Sequence, residues 1–414
     1  MKKVVLILCL VIPLLLFVSP SKKIELKNNH YNIYIEENGQ YVKQNTNTMP
    51  TDGYLLNTSE SSCVGGGTIT QDFSTREVSV TVTKSDKCDF YFDEYLPTIL
   101  EVFNDDRYDD TSTAVIDAGS ITNNNVTCTK TMAYDGTNNN NLRYIGASPC
   151  NYVTFNGETA GWRIIGVMNN ISDGSSSTSR IKLVRATSLG SYSYDTSANG
   201  TNSGYGYNDW TQADLKTELN GDYLNTSLQA NTTWYNGRRN AKNASFNYQR
   251  VLKADAQTLF GDAVWNLGAY ANSTNIRLSA LYTAERGTAV PTGTSGRQTT
   301  WTGKVALMYP SDQGYATGGT VRNTCLNSNL SQFSTNQCNT NSWIYQLGSN
   351  TRYLTPSTNN QAYATYRNNT YIATNYVYNA YATYPTIYLY STVVITGGNG
   401  SQAQPFTIGL ANSS

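Results

Sequence analysis

Between Gln313 and Ser414 the chain has no Asp, Glu, Lys or His, and Arg322, Arg352 and Arg367 are its only charged side chains there. Such a segment must fold without carboxylate partners and must meet water through neutral polar groups. Within it, nine tyrosines fall between Tyr363 and Tyr390, of 32 in the 414-residue chain, interleaved with Asn, Thr and Ala. Tyrosine gives a large contact area with few rotors to freeze, and Asn and Thr give adaptable hydrogen bonds, which is the composition of a paratope. It is a poor setting for acid–base or carboxylate–metal chemistry. A ligand-binding surface is therefore expected at Tyr363, Tyr366, Arg367, Asn368, Asn369, Tyr371, Asn375, Tyr376, Tyr378, Asn379, Tyr381 and Tyr384.

The N-terminus points to export. Met1-Lys2-Lys3 precedes an apolar run, Val4 to Val18, and then the small residues Ser19-Pro20-Ser21. Residues 1–21 read as a signal peptide or, because Lys22 and Lys23 follow directly, as an uncleaved N-terminal membrane anchor. Both readings put the rest of the protein outside the cell or on its surface. Setting aside Cys9 in the apolar run, six cysteines remain, and they fall as neighbours. Disulfides Cys63–Cys88, Cys128–Cys150 and Cys325–Cys338 are expected. There is no CxxC motif or Cys/His cluster, so neither a metal nor another cofactor is expected.

Charged residues make up only 14% of the chain, and Lys+Arg balance Asp+Glu at 29 each. The first figure is well below the usual quarter. The second leaves no electrostatic footprint for nucleic acid or an anionic membrane. Period-two alternation in Tyr31–Ile35, Glu77–Val82 and Lys87–Asp93 suggests a small all-β module over residues 30–95, with Gly65-Gly66-Gly67 as a turn and the Cys63–Cys88 bridge joining opposite ends of its sheet. A short helix is expected at Leu96–Phe103. Residues 96–140 form an acidic, Asn-rich linker, and Asp105, Asp106, Asp109 and Asp110 lack the EF-hand spacing. From residue 141 to 410 the pattern is a larger domain. Strands are expected at Gly161–Met168, Arg180–Arg185 and from Trp301, helices at Thr211–Tyr223 and Val251–Asn266, and a final hairpin around Gly397–Gly400. A few helices among many short strands indicate α+β.

Several motifs in this domain carry a resemblance. GWRIIGV (Gly161–Val167), NDWTQADLKTELNGDYLN (Asn208–Asn225), FGDAVWNLGAY (Phe260–Tyr270), YTAERG (Tyr282–Gly287), WTGKVALMYPSDQGYAT (Trp301–Thr317), LTP (Leu354–Pro356) and TVVITGGNGSQAQPFTI (Thr392–Ile408) together resemble a family of exported proteins of Gram-positive gut bacteria. KCDFYFDEY (Lys87–Tyr95) is similar to the small β modules such proteins carry. The resemblance implies a C-type-lectin-like domain, shared with formylglycine-generating enzyme, with short strands and two helices. That scaffold also serves the variable proteins of diversity-generating retroelements. These vary at adenine-rich codons, which yield Asn, Tyr, Thr, Ser, Ala and Asp, and Tyr363–Tyr384 looks like that outcome with Asp missing. The family's G-V-R-P stretch is Ala382-Thr383-Tyr384-Pro385 in this chain, so Tyr384 replaces an expected Arg and Tyr390 a later Lys. The resemblance implies a buried ion pair lost at that place.

Catalysis is the competing expectation, either formylglycine-generating-enzyme-like or a carboxylate-dependent hydrolase using Asp209, Asp214, Glu218, Asp222, Asp255, Asp262, Glu285 or Asp312. The chain lacks GxSxG, HExxH and P-loop patterns, and its single His, His30, stands at the start of the small module, far from the larger domain. The reading favoured by the residues is not an enzyme. It is an extracellular adhesin-like or receptor-like binder, whose partner is a protein or glycan on another cell or phage.

Overall fold

In Cys88–Glu94 every second residue is apolar, and Cys88, Phe90 and Phe92 are fully buried while Asp89, Tyr91 and Asp93 stay half-buried. This strand is the spine of the first of two units, Met1–Leu96 and Pro97–Ser414. A computed structural model describes residues 31–410 except 38, 47, 51–53, 72–77, 82–86, 96–97, 99, 101–114, 124–125, 197–203, 240–241, 272–275 and 349. The signal peptide or anchor, His30, almost all of the helix at Leu96–Phe103 and the four linker aspartates lie outside the described residues.

In the first unit Cys88–Glu94 runs parallel to Tyr31–Glu37 and antiparallel to Tyr54–Leu56 and Ser62–Cys63, and Gln40–Lys43 closes one edge. A hairpin, Thr68–Gln71 with Val78–Thr81, adds Ile69 and Val80 to a core of Ile33, Leu56, Phe90 and Phe92. Cys63 and Cys88 are direct register partners with Cα atoms 4.0 Å apart. The bridge therefore clamps adjacent strands instead of joining opposite ends of the sheet.

The second unit is built on a ten-stranded sheet. Its path is Ala306–Leu307, Pro385–Tyr388, Ser177–Arg185, Glu158–Ser172, Leu142–Tyr144, Val126–Tyr134 and Val115–Asn123. The long pair Glu158–Ser172 and Ser177–Arg185 is its centre, burying Trp162, Ile164, Leu183 and Val184. Gly166 is required there, because a Cβ would stand 2.1 Å from the Leu142 carbonyl oxygen of the neighbouring strand. Val115–Asn123 and Val126–Tyr134, placed in the linker from their surroundings, are antiparallel strands of this sheet. Val126, Cys128, Lys130 and Met132 alternate with threonines at strand period, and Cys128 is bonded to Cys150. The terminal hairpin pairs Val393–Gly397 with Phe406–Leu410 and joins the same sheet through Tyr152–Phe155, while Pro385–Tyr388 lies on its main path.

The expected α+β class is overturned. Strand accounts for 43% and helix for 13%, and the five α-helices among the described residues are short. They are Asp214–Asn220, Ala254–Gln257, Leu278–Glu285, Pro310–Tyr315 and Arg322–Asn327, none longer than eight residues. The helix expected over Val251–Asn266 shrinks to Ala254–Gln257, because Leu259 and Phe260 bond instead to the extended segment at Leu389–Tyr390. Ala263–Asn266 then pairs as a strand with Thr300–Gly303.

The specific motif around Tyr309–Tyr315 is a fastening point. Asp312 caps its own helix by accepting from the Tyr309 amide at 2.9 Å, and its carboxylate also takes Lys182 Nζ at 2.6 Å and Arg143 Nη1 at 2.8 Å. Arg143 Nε continues to Asp135 at 2.8 Å. Beside it, buried Glu285 accepts from the Ser311 amide and hydroxyl. Burial alone would raise the Asp312 carboxyl, but Lys182 and Arg143 outweigh it and hold the group down at about 2. For Lys182 burial wins over Asp312, and the ammonium falls to about 8. The asymmetry is physical: the carboxylate has two cations, whereas the ammonium has one carboxylate and the positive Arg143 and Arg286 nearby. Both partners are charged at neutral pH.

Cys325 and Cys338, both fully buried, close a loop of sequence separation 13. Replacing both with Ser should lower the unfolding free energy by about 3 kcal/mol through the freed unfolded chain. Urea denaturation reads this directly, and an unmoved midpoint would show that the loop is fastened without the bridge.

Candidate functional site

The tyrosine-rich segment folds as part of a five-stranded sheet, in the order Ser191–Tyr192, Tyr381–Ala382, Thr351–Pro356, Tyr363–Arg367 and Ile372–Tyr376. In Tyr363–Arg367 only Tyr363 and Tyr366 reach toward solvent; Ala364, Thr365 and Arg367 are buried, as are Arg352 and Tyr353 on the neighbouring strand. What remains toward solvent is a set of half-buried tyrosines, Tyr363, Tyr366, Tyr376, Tyr378 and Tyr381, with Tyr371 41% exposed.

These rings are ordered against one another. Tyr376 stacks on Tyr378 (centroids 5.1 Å, planes 27° apart) and on Tyr205 (5.1 Å, 23°), and meets Tyr363 edge-on at 4.6 Å. The hydrogen-bonded Tyr376 beside it pushes the Tyr363 phenol up to about 12. A second group stacks Tyr366 on Tyr381 at 4.6 Å, with Asn375 donating to the Tyr381 hydroxyl at 2.8 Å and Asn379 donating to Asn375 at 3.2 Å. The turn 375–381 supplies members of both groups. Each pair of this kind contributes about 0.5–1.5 kcal/mol beyond its buried area.

Arg352 organises the turn from below. It is fully buried, lies 4.5 Å from the Tyr381 centroid, and donates to the carbonyls of Ala364 (3.0 Å), Tyr376 (2.9 Å) and Asn379 (3.2 Å). Burial pulls its guanidinium down to about 10, with Tyr381, Tyr194 and Tyr366 opposing, so it is still a cation at neutral pH. Backbone carbonyls and ring faces carry out the solvation that the ion-free sequence denies it. Arg322 does the same elsewhere, donating to the carbonyls of Tyr315, Thr317 and Tyr134.

Two expected surface residues are interior. Arg367 is 1% exposed, donates to the Tyr345 carbonyl and lies 4.4 Å from the Tyr345 ring. Tyr384 is 3% exposed and donates to the Leu347 carbonyl at 2.7 Å, so the phenol that stands where the family has Arg is packed and satisfied. Both are removed from the candidate surface. Asn368 serves the turn before Tyr371, accepting from the Thr370 and Tyr371 amides at 2.8 Å each, and Asn369 is exposed.

Three members of the site come from distant sequence. Tyr205 arrives on a segment pinned by Asp195, which accepts from the Tyr207 amide at 2.6 Å, and Gly206 at φ +71° leaves no room for a Cβ between Thr196 O and Asp195. Burial pushes the Asp195 carboxyl up to about 7 against the pull of the Tyr207 amide, and neighbouring Asp214 adds to the rise. The guanidinium of Arg238, on the loop between Thr232–Tyr235 and Lys242–Phe246, covers the Tyr205 ring at 3.8 Å. The GYGY string (Gly204–Tyr207) in a charge-free loop was the signal available for Tyr205. For Asp195 and Arg238 the sequence offers none.

No family model, no curated protein and no solved structure matches the chain. The resemblance to exported gut-bacterial proteins therefore stays an expectation.

The carboxylates considered for hydrolysis act as fastenings. Asp312 and Glu285 hold the buried network, Asp214 accepts from the Thr196 amide and hydroxyl, Glu218 pairs with Lys242 at 2.8 Å, and Asp222 accepts from Thr232 and Trp234 Nε1. Asp209 lies 3.4 Å from Arg297, while Asp255 and Asp262 are exposed. Among the described residues no cluster of three or more His, Cys, Asp or Glu is placed to hold a metal, and no helix is long and apolar enough to cross a membrane. Three disulfides indicate an oxidising, extracellular environment.

Proposed function

We propose that the protein is an extracellular ligand-binding surface protein, exported by its N-terminal segment, and that the half-exposed tyrosines around the 375–381 turn are its contact surface. The observation that carries this reading is the ring order itself. Tyr363, Tyr376, Tyr378 and Tyr205 are mutually packed yet half-open, and buried Arg352 fixes the turn that bears them. Rigid aromatic anchors lose little entropy on binding. The surface has no carboxylate of its own, so recognition should be independent of calcium and rest on ring stacking and neutral hydrogen bonds. The first unit serves as a spacer. The Tyr/Asn palette also suits genetic diversification, which a near-repeat of these codons beside a reverse transcriptase would support.

Tyr371, Tyr376 and Tyr378 changed together to Ala should abolish retention on arrays of glycans and cell-surface proteins while moving the melting temperature by only a few degrees. Undiminished retention would reject the surface, and a collapsed fold would make these rings core.

A further inference from the structure

Resting on that reading, we infer that the tyrosine platform takes an acidic glycan, a pyranose ring bearing a carboxylate, with the ring stacked on the tyrosines and the carboxylate met by Arg238 and Arg239.

Three segments build this end of the surface. They are residues 204–207, residues 236–239 and the 363–381 region, and none of them contains an Asp or a Glu. The positive side chains they bring are set beside the stack. Arg238 lies 3.8 Å from the Tyr205 centroid and 5.9 Å from that of Tyr378, and its Nε donates to the Gly204 carbonyl at 3.0 Å. Arg239 follows it, exposed, with its side chain against Gly204. The loop holds Arg239 at φ 60°, in the left-handed region that a residue with a Cβ rarely adopts. Strain of this kind persists where a chain is shaped for a purpose. The hairpin is also tied to the platform, since the Tyr235 carbonyl accepts from the Ser193 amide and Ser193 Oγ donates to the Tyr378 carbonyl at 2.6 Å. Asp195, the nearby carboxylate, is sealed below the surface and occupied by the Tyr207 amide.

Flat stacked phenols accept the apolar face of a sugar ring. Their hydroxyls match its neutral oxygens. A guanidinium pair gives the carboxylate charge-assisted hydrogen bonds. A single nucleic acid strand would use the same stacking and cation chemistry. The disulfides place this protein where glycans are the abundant anionic rings.

The test is a binding titration of the whole protein against sialyllactose, hyaluronan and polygalacturonate, with lactose, dextran and a single-stranded oligonucleotide as comparisons. The first probe represents a sialylated host glycan, and the other two represent uronate polymers. Binding of at least one acidic sugar, absent for its neutral counterpart and weakened by raising salt, is expected. Arg238→Gln should weaken it about tenfold, the loss of one charge-assisted contact. Arg239→Gln, at an exposed position, should weaken it without disturbing the fold. Equal binding of neutral sugars, unchanged in both arginine variants but lost in the triple tyrosine variant, overturns the acidic ligand and leaves the contact surface standing. Preference for the oligonucleotide, or binding of no sugar at all, also overturns it.

Discussion

Replacing Arg352 with Met is expected to lower the unfolding free energy by about 3 kcal/mol and to disorder the 375–381 turn. The substitution keeps the volume of the stem but removes the donors to Ala364, Tyr376 and Asn379. A carbonyl left buried without a donor costs about 1–3 kcal/mol. The Ala364 carbonyl has no easy route to water, while those of Tyr376 and Asn379 regain part of the loss by solvation. The Tyr366–Tyr381 stack above the guanidinium also loses its base. Circular dichroism during urea unfolding gives the stability. Near-ultraviolet ellipticity of the tyrosines reports the turn, and should fall even at low temperature. If both are unchanged, the guanidinium is a passenger and the account of how the surface is held fails.

Asp312→Ala is expected to be more damaging, costing about 3–5 kcal/mol, the usual penalty for removing one partner from a buried pair. It strands Lys182, 1% exposed at the side chain, among Tyr309, Tyr388 and Trp265, and leaves Arg143 with Asp135 as its one carboxylate. The network also gives an acid signature. The folded carboxyl sits near 2, below its unfolded value of about 3.9, so its stabilising contribution is fully present above pH 4 and disappears as pH falls through 2. That contribution is about 2–3 kcal/mol. Asp195 acts in the opposite sense. Its raised folded value makes its contribution present below about pH 4 and lost as pH rises through 7. The two contributions together should therefore peak near pH 4, falling on the acid side as Asp312 is protonated and on the alkaline side as Asp195 ionises. An acid transition that is identical in wild type and Asp312→Ala would contradict the first assignment.

The disulfides were legible because parity and proximity of cysteines in an exported chain leave few pairings. The face-forming segment was legible from composition alone. Its inward and outward halves were not, because Tyr, Thr, Asn and Ala are tolerated on either side of a strand. Arg367 and Tyr384 therefore read as surface, although tertiary contacts with the Tyr345 and Leu347 carbonyls bury them. The short helix at Ala254–Gln257 was overestimated because Leu252, Ala256, Leu259 and Phe260 are all buried whether the chain is helix or strand. Residues 115–134 were masked by their acidic, Asn-rich neighbours, although Val126–Met132 alternates cleanly. The partners brought from afar, Tyr205 and Arg238, depend on tertiary contacts that no local pattern announces.

The most direct test of the outward tyrosine surface is hydroxyl-radical footprinting of the native protein, read by mass spectrometry at each ring. Tyr363, Tyr366, Tyr371, Tyr376, Tyr378 and Tyr381 should oxidise readily, with Tyr353, Tyr384 and Tyr388 protected until the protein unfolds. Protection of the first group equal to that of Tyr384 would mean that these rings are core, and no recognition surface would remain.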